Sequence, residues 1–271
     1  MVATIVLIVI LLLAGLILFL VAPGKRRDTG KFERKAFAHR GLHDNPGGIP
    51  ENSLAAFRRA RAHGYGVELD VQLSKDGQVV VFHDDTLDRV CGVPGHLYEK
   101  DYAELKRLRL LGTDERIPLF SEVLAALDGM PVICEIKVPA GQDAAEICAK
   151  AAPFIDGYKG DICMESFNPK AVQWFRKNRP GLVRGQLTMN FMKEPCGEPL
   201  LTRIAMSQLL VNVLGRPDFI AYGDYTGDTV GFALCRLFHP MLAAWTVTSQ
   251  EQQDQLKNRY HTVIFEQYLA Q

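Results

Sequence analysis

Short β-type runs alternate with amphipathic helical runs along most of this chain, and this alternation constrains the fold more than any other feature. The β-type runs cover residues 36–40, 67–71, 132–137, 161–167, 182–187, 219–223, 242–247 and 262–266. Helical runs between them include residues 52–63, 119–127 and 170–178. Repeated β-then-α order predicts parallel strands joined by crossover helices. Eight such strands over roughly 235 residues match an α/β fold of the TIM (β/α)8 barrel type.

The amino-terminal segment predicts a membrane anchor. Residues 2–22 carry no charge and are almost wholly aliphatic, and a helix of that length spans roughly 30 Å, the thickness of a bilayer core. A cleaved signal peptide fits poorly, because no basic residue precedes the apolar run and no small-x-small pattern follows it. We therefore expect a transmembrane anchor at 1–22, a basic linker at 23–34 and the barrel at 35–271.

Basic residues follow the apolar run, beginning with Lys25, Arg26 and Arg27. The positive-inside tendency then predicts a single-pass membrane protein with its barrel in the cytoplasm. The chain as a whole has 31 basic and 31 acidic residues, so its net charge gives no reason to expect a nucleic-acid partner. Its six cysteines are scattered without a C-x-x-C pair, which argues against a zinc or redox motif.

One further β-type run, at residues 78–83, follows the second strand too closely for a parallel crossover. Residues 75–78 instead have the composition of a hairpin turn. A two-residue turn at Asp76 and Gly77 would place His83 opposite Asp70, and Glu68 would share that face. A bulge at the turn would shift this register by one residue.

Three acids are expected at the carboxyl ends of neighbouring strands, where barrel active sites lie. They are Glu68, Asp70 and Glu135. Buried carboxylates on one face repel one another unless they are paired or bind a metal, and hard cations such as Mg²⁺ or Ca²⁺ prefer oxygen ligands. The pattern therefore predicts a divalent-cation site.

Other polar residues are expected beside these acids. His39 and Arg40 end the first strand, and Lys137 follows Glu135 by two residues. Two cations near a metal suit an anionic substrate, since Arg and Lys both bind phosphate. His39 and His83 can share proton transfer, because the unperturbed pKa of histidine lies near 6.5.

Aromatic residues near the ends of later strands can wall a pocket for the alcohol or lipid part of a substrate. Phe167, Trp245 and Tyr222 hold such positions, although packing in the core explains aromatic residues there equally well. Of the remaining histidines, His43 has the strongest claim to a role in the site, because it lies on the first loop.

The ordered set of motifs resembles the glycerophosphodiester phosphodiesterase family from residue 36 to about 267. The motifs lie at residues 39–41, 51–53, 68–70, 75–77, 83–84, 86–89, 135–137, 166–167 and 245–247. The resemblance implies a TIM barrel that hydrolyses glycerophosphodiesters to an alcohol and glycerol 3-phosphate with a divalent metal. By family pattern, Glu68, Asp70 and Glu135 hold the metal, His39 and His83 are acid and base, Arg40 and Lys137 bind phosphate, and Glu51 supports the site.

Two departures from the family pattern concern specificity. Glu266 stands where relatives often have Asp, and the segment 85–116 is short for the insertion that many relatives carry. The rim of the pocket, and hence the leaving group, is therefore the least constrained part of the prediction.

Three other functions stay open at this stage. The chain can be a lysophospholipase D acting on membrane lysolipids, since an anchor and a basic linker hold its pocket beside anionic lipid. It can be a pseudoenzyme that binds phosphodiesters without turnover. It can also cleave on the other side of phosphorus, releasing phosphocholine or a cyclic product.

Overall fold

Nine strands and eleven α-helices were found in the part of the chain that the computed structural model describes, residues 1–24, 28–193, 197–223 and 229–271. The strands are β1 Ala36–Ala38, β2 Gly66–Leu73, β3 Val79–Val81, β4 Val132–Ile136, β5 Ile162–Ser166, β6 Arg184–Thr188, β7 Phe219–Tyr222, β8 Met241–Val247 and β9 Thr262–Phe265. The helices are α1 Val2–Val21, α2 Leu54–Ala62, α3 Asp88–Cys91, α4 Tyr102–Leu105, α5 Phe120–Leu127, α6 Ala144–Gly157, α7 Pro169–Asn178, α8 Leu200–Ser207, α9 Asn212–Gly215, α10 Val230–Arg236 and α11 Gln250–Leu256.

Eight of the strands close into a barrel. They run in the order β1-β2-β4-β5-β6-β7-β8-β9, and β1 pairs with both β2 and β9. All of these pairings are parallel, and helices connect the strands around the outside. The predicted TIM barrel is thus confirmed, and each predicted β-type run supplies one of its strands.

The barrel is filled by alternate side chains of its strands. Phe37, Ile133, Phe219, Met241 and Ile264 belong to a buried cluster that is separate from the layer between strands and helices. On β2, Val67, Leu69 and Val71 join that outer layer. Because strand side chains alternate between faces, Glu68, Asp70 and Gln72 point to the barrel interior, above the apolar filling.

The ninth strand, β3, pairs antiparallel with the end of β2, so the predicted hairpin is confirmed. Its register differs from that of a two-residue turn, because Val71 lies opposite Val81 and the Phe82 amide donates to the Asp70 carbonyl. His83 is therefore not opposite Asp70. The turn has an extra residue, with Gly77 in the left-handed region at φ 77°, which glycine adopts without steric cost.

The segment after β3 forms a small layer of its own. It contains α3, α4 and two short 3-10 turns, and its apolar side chains make a separate buried cluster around Phe82, Leu87, Leu97 and Leu110. This layer covers the hairpin and closes one side of the barrel mouth.

Helix α1 is long and apolar enough to cross a membrane. Of its residues only Val21 is buried. Both a membrane anchor and a signal sequence have these properties. The basic residues Lys25, Arg26 and Arg27, from which the orientation was predicted, lie outside the described residues.

Candidate active site

Four acids meet at the carboxyl ends of three neighbouring strands. Asp70, Glu135 and Glu165 lie in register across β2, β4 and β5. Glu68 lies two residues before Asp70 on β2, and its side chain points to the same face. All four are buried. Ligand oxygens of Glu68, Asp70 and Glu135 lie within 4.8 Å of one another. The three predicted acids are therefore brought together, and sequence analysis missed the fourth, Glu165, although it is an acid inside an apolar strand.

The charges of these acids are only partly compensated. Lys137 Nζ lies 3.0 Å from Glu135 Oε2 and 3.3 Å from Asp70 Oδ1, and Arg40 Nε lies 3.7 Å from Asp70 Oδ2. Burial would raise the pKa of Asp70, but Lys137, His83 and Arg40 together hold it well below its usual value. The neighbouring cationic side chains thus favour the ionised form of Asp70.

Glu68 and Glu165 have the opposite electrostatic environment. Burial and the neighbouring carboxylates raise the pKa of both groups well above the usual value. Glu165 Oε2 is buried, and no hydrogen-bond partner for it was found among the described residues. Such a group is costly to bury unless a cation neutralises it.

These residues fit a divalent cation. Oxygen ligands at about 2.0–2.6 Å from an ion lie within about 4–5 Å of one another, which matches the spacing of the three acids. The donor set is all oxygen, which suits a hard cation.

His39 follows β1, and a carboxylate orients its ring. Its Nδ1 lies 2.8 Å from Glu266 Oε2, and its Nε2 lies 3.9 Å from Glu68 Oε2. A carboxylate at Nδ1 favours the tautomer with its proton there, so Nε2 faces the acids as an acceptor. Burial lowers the pKa of His39, although Glu266 acts in the opposite direction. His43 Nε2 lies 3.5 Å from the same Glu266 oxygen, so it borders the site.

His83 has a similar arrangement on the other side of the site. Its Nδ1 lies 2.7 Å from Asp84 Oδ1. The guanidinium of Arg89 donates to both oxygens of Asp84 and to both oxygens of Glu51. Glu51 also accepts from Arg40 Nη1 at 2.7 Å. A continuous network of hydrogen bonds thus connects His83 to Arg40 through Asp84, Arg89 and Glu51.

The side-chain amides of Gln72 and Asn52 hold the backbone after β3 and the Asp70 carboxylate in place. Gln72 Nε2 donates to the carbonyls of Phe82, His83 and Asp84 at 3.0, 3.1 and 2.9 Å. Asn52 Nδ2 donates to Asp70 Oδ2 at 2.8 Å. Gln72 was not predicted to belong to the site, although it shares the face of Glu68 and Asp70 by the two-residue period of the strand.

Arg40 adopts an unusual backbone conformation. Its φ is 54°, in the region that non-glycine residues rarely occupy. In this conformation its amide donates to Glu68 Oε2 at 3.1 Å, and its carbonyl accepts from the Asn52 amide. Such strain is common at functional sites, where the surrounding contacts stabilise it.

Aromatic rings form one wall of the site. The Phe167 ring packs edge-on against Trp245 at 5.5 Å and against Phe191 at 5.9 Å. Trp245 Nε1 has no hydrogen-bond partner among the described residues. Tyr222 does not belong to this wall, contrary to its suggested role. It is fully buried and stacks on Phe232 in the layer between strands and helices.

All the predicted site residues except Asp70 and Glu51 line one cavity of about 120 Å³ at the barrel mouth. Its polar lining comprises His39, Arg40, Glu68, His83, Glu135, Lys137, Glu165 and Thr246, and its apolar lining includes Phe167, Leu187 and Trp245. One cavity thus contains acids that fit a metal cation, two oriented histidines, and the positively charged side chains of Arg40 and Lys137. This combination defines a barrel hydrolase for an anionic substrate.

Comparison with known proteins agrees with this class. Residues 39–265 match the model of the glycerophosphoryl diester phosphodiesterase family, and the chain belongs to that family of phosphoric diester hydrolases. A glycerophosphodiester phosphodiesterase from Caldanaerobacter subterraneus subsp. tengcongensis is 33% identical over 171 residues, which cover 58% of this chain and 68% of that protein.

Two further relatives match the chain over different lengths, one in sequence and one in structure. Human lysophospholipase D GDPD1 is 36% identical over 126 residues, covering 42% of this chain but only 39% of that protein. The structure of an Oleispira antarctica phosphodiesterase in complex with the product sn-glycerol-3-phosphate matches with a TM-score of 0.70 and 25% identity, covering 86% of this chain and 93% of that one.

Proposed function

We propose that the chain hydrolyses glycerophosphodiesters to an alcohol and glycerol 3-phosphate by acid-base catalysis with two histidines and a divalent cation. This proposal is supported above all by one observation: acids, histidines bound to carboxylates, and the positively charged side chains of Arg40 and Lys137 converge on one cavity. The family membership, and a structural neighbour that holds sn-glycerol-3-phosphate as product, support the choice of substrate.

Glu68, Asp70 and Glu135 would hold the cation, Mg²⁺ or Ca²⁺. When bound there, it would polarise the phosphoryl group and favour attack on phosphorus. Arg40 and Lys137 line the same cavity, and their positive charges would bind the phosphate oxygens. Glu51 keeps the guanidinium of Arg40 oriented through its 2.7 Å contact.

His39 would act as the base and His83 as the acid. The Nε2 atom of His39 faces the cavity without a proton, so it can accept one from the attacking hydroxyl group or water. The charge that His39 gains is then stabilised by Glu266. His83 would donate a proton to the leaving alcohol, with Asp84 fixing its ring. Attack by the glycerol 2-hydroxyl, with a cyclic intermediate, and direct attack by water both use these roles.

A lysophospholipase D is the second candidate, because the wall formed by Phe167, Trp245 and Phe191 suits an apolar group. A substrate panel separates the two. The full chain is assayed with glycerophosphocholine, glycerophosphoethanolamine and lysophosphatidylcholine, each with Mg²⁺, Ca²⁺ or chelator. Cleavage of lysolipid alone would refute the preference for soluble diesters. Phosphorus NMR of the products shows which side of phosphorus is cleaved.

Paired variants test the site itself. Glu68→Gln and His83→Ala are expected to abolish cation-dependent release of glycerol 3-phosphate. Glu251→Gln and His63→Ala are matched controls, since both side chains are exposed and neither lines the cavity. Activity of the Glu68 and His83 variants equal to that of their controls would contradict the assignment. Absence of turnover in the unaltered chain with every substrate and cation would favour the pseudoenzyme.

We also propose that α1 stays attached as a membrane anchor. The last turn of the helix is packed on the barrel, because Val21 is fully buried and its carbonyl accepts from Asn212 Nδ2 at 2.9 Å. Removal of a signal sequence would leave both groups without these contacts. Mass spectrometry of the membrane-extracted protein tests this, and a mature chain lacking residues 1–22 would refute it. The cytoplasmic position of the barrel remains a prediction, testable by protease protection in sealed vesicles.

A further inference from the structure

One side of the barrel carries most of its large exposed apolar side chains. We call this set the apolar face: Met192, Leu200, Leu201, Ile204, Leu214, Val230, Leu237 and Phe238. Outside α1 and the Met1 that precedes it, only Leu111, Phe154 and Leu269 are exposed and large in the other described parts of the chain. Single apolar residues on a surface are normal, but a concentration on one side marks an interaction surface.

The helices that carry the apolar face are in contact with one another. Thr229, the cap of α10, donates from Oγ1 to the Ser207 carbonyl at the end of α8. The amide of Gly231 donates to Gln208 Oε1 at 2.7 Å. Asn212 on α9 lies 3.6 Å from Cys235 on α10. The exposed residues therefore belong to adjoining elements of a single side.

The carboxyl end of α1 is bound to the same side. Arg216 Nη1 donates to the carbonyls of Phe19 and Ala22 at 2.8 and 2.7 Å, and its guanidinium lies 4.5 Å from the Phe19 ring centroid. Asn212 holds the Val21 carbonyl. These contacts fix the point where α1 leaves the barrel, next to α9 and α10.

We infer that the apolar face rests on a lipid bilayer, as a second membrane contact in addition to α1. The residues of α1 before Leu20 are exposed, and all of them except Thr4 are apolar, so this helix needs a lipid environment. Because α1 is held against α9 and α10, lipid that surrounds its carboxyl end also reaches the exposed side chains beside it. A membrane surface is therefore favoured over a second copy of the chain or another protein.

The apolar face continues to the aromatic wall of the cavity. Met192 follows Phe191, whose ring packs on Phe167. Arg203 on α8 donates to the Phe191 carbonyl at 3.0 Å from Nε and 2.8 Å from Nη2. Contact of α8 with lipid would thus bring the aromatic side of the cavity close to the bilayer surface. The docking itself does not depend on the proposed hydrolysis.

Tryptophan probes test lipid contact directly. The full chain is reconstituted into phosphatidylcholine–phosphatidylglycerol vesicles with normal or brominated acyl chains, since bromine quenches tryptophan only on contact. Leu201→Trp and Leu237→Trp place probes at sites that are 79% and 66% exposed. Phe154→Trp, on α6 at another side of the barrel, is the matched control.

The two probes on the apolar face are expected to lose emission in brominated vesicles, beyond any loss of the unaltered chain and of the Phe154→Trp control. Equal emission in both kinds of vesicle would overturn the inference. Emission shifted to the blue but not quenched would also overturn it, because a protein would then cover the face. Far-ultraviolet circular dichroism shows whether each variant is folded regardless of turnover, so failure of this inference and failure of the proposed function are distinguishable.

Discussion

Replacing Glu266 by glutamine tests whether a carboxylate is needed behind His39. Glutamine has nearly the same shape and can still accept from Nδ1, so the change chiefly removes a negative charge. That charge matters most when His39 has taken up a proton, because Glu266 Oε2 lies 2.8 Å from Nδ1. The expected defect is therefore in turnover rather than in substrate binding.

The size of the defect follows from the electrostatic interaction of the ring with the carboxylate. Two unit charges about 4 Å apart attract by about 4 kcal/mol at an effective dielectric of 20 and by about 1 kcal/mol in bulk water. His39 and Glu266 side chains are 15% and 21% exposed, so we take an intermediate value. A loss of about 2 kcal/mol lowers kcat about thirtyfold.

The pH profile provides an independent readout. Burial already lowers the pKa of His39, and Glu266 raises it. Without the carboxylate the pKa of His39 falls further, so a base at this position stays neutral to lower pH. The acid limb of kcat/KM should move to lower pH in Glu266→Gln.

Release of glycerol 3-phosphate is measured by a coupled dehydrogenase assay at saturating cation. Glu266→Asp keeps the charge and should keep more turnover than Glu266→Gln, and Glu251→Gln, on exposed α11, is the matched control. Wild-type kcat with an unmoved acid limb in Glu266→Gln would refute the reasoning.

Three other changes have defined outcomes. Gln72→Leu removes the donor to three carbonyls and should lower kcat about 10- to 100-fold by displacing His83; unchanged kcat in steady-state assays would contradict this. Burial would raise the pKa of Glu51, but Arg89 and Arg40 hold it at about 2, against a usual value of 4.5. The stability from this group is present above pH 4.5 and lost as pH falls toward 2, so urea unfolding of Glu51→Gln should depend less on pH in that range. Glu165→Gln should raise the cation-free Tm and reduce the increase in Tm on adding Mg²⁺ or Ca²⁺, and an undiminished increase would count against a role for this acid.

The architecture could be predicted because its signals are local. Eight β-type runs with helices between them allow few folds, and each acid in an apolar strand shows its face by the two-residue period. Glu165 could have been found by the same rule, since it lies in register with Glu135. The apolar face could not, because exposed leucines on short helices resemble core residues until the packing is known.

The network around Glu51 depends on contacts between residues that are distant in sequence. Glu51 and Arg89 are 38 positions apart, and no local pattern pairs an arginine with one of several available acids. Only the small layer formed by α3 and α4 brings Arg89 over the barrel mouth. The resemblance to a family indicated that Glu51 matters, but the reason is physical: Glu51 joins the arginine behind His83 to the arginine beside the acids.

The location of His83 does not depend on the strand register of the hairpin. The register of a two-residue turn was wrong by one residue, which is the shift expected from a bulge at the turn, yet His83 still borders the acids. This is possible because the β2–β3 ladder ends at Val81, and beyond it the Gln72 amide holds three successive carbonyls. An interior side chain of β2 therefore sets the place of the histidine. Turn length decides which residues of β2 and β3 are paired, whereas hydrogen bonds from the barrel interior decide where the imidazole lies.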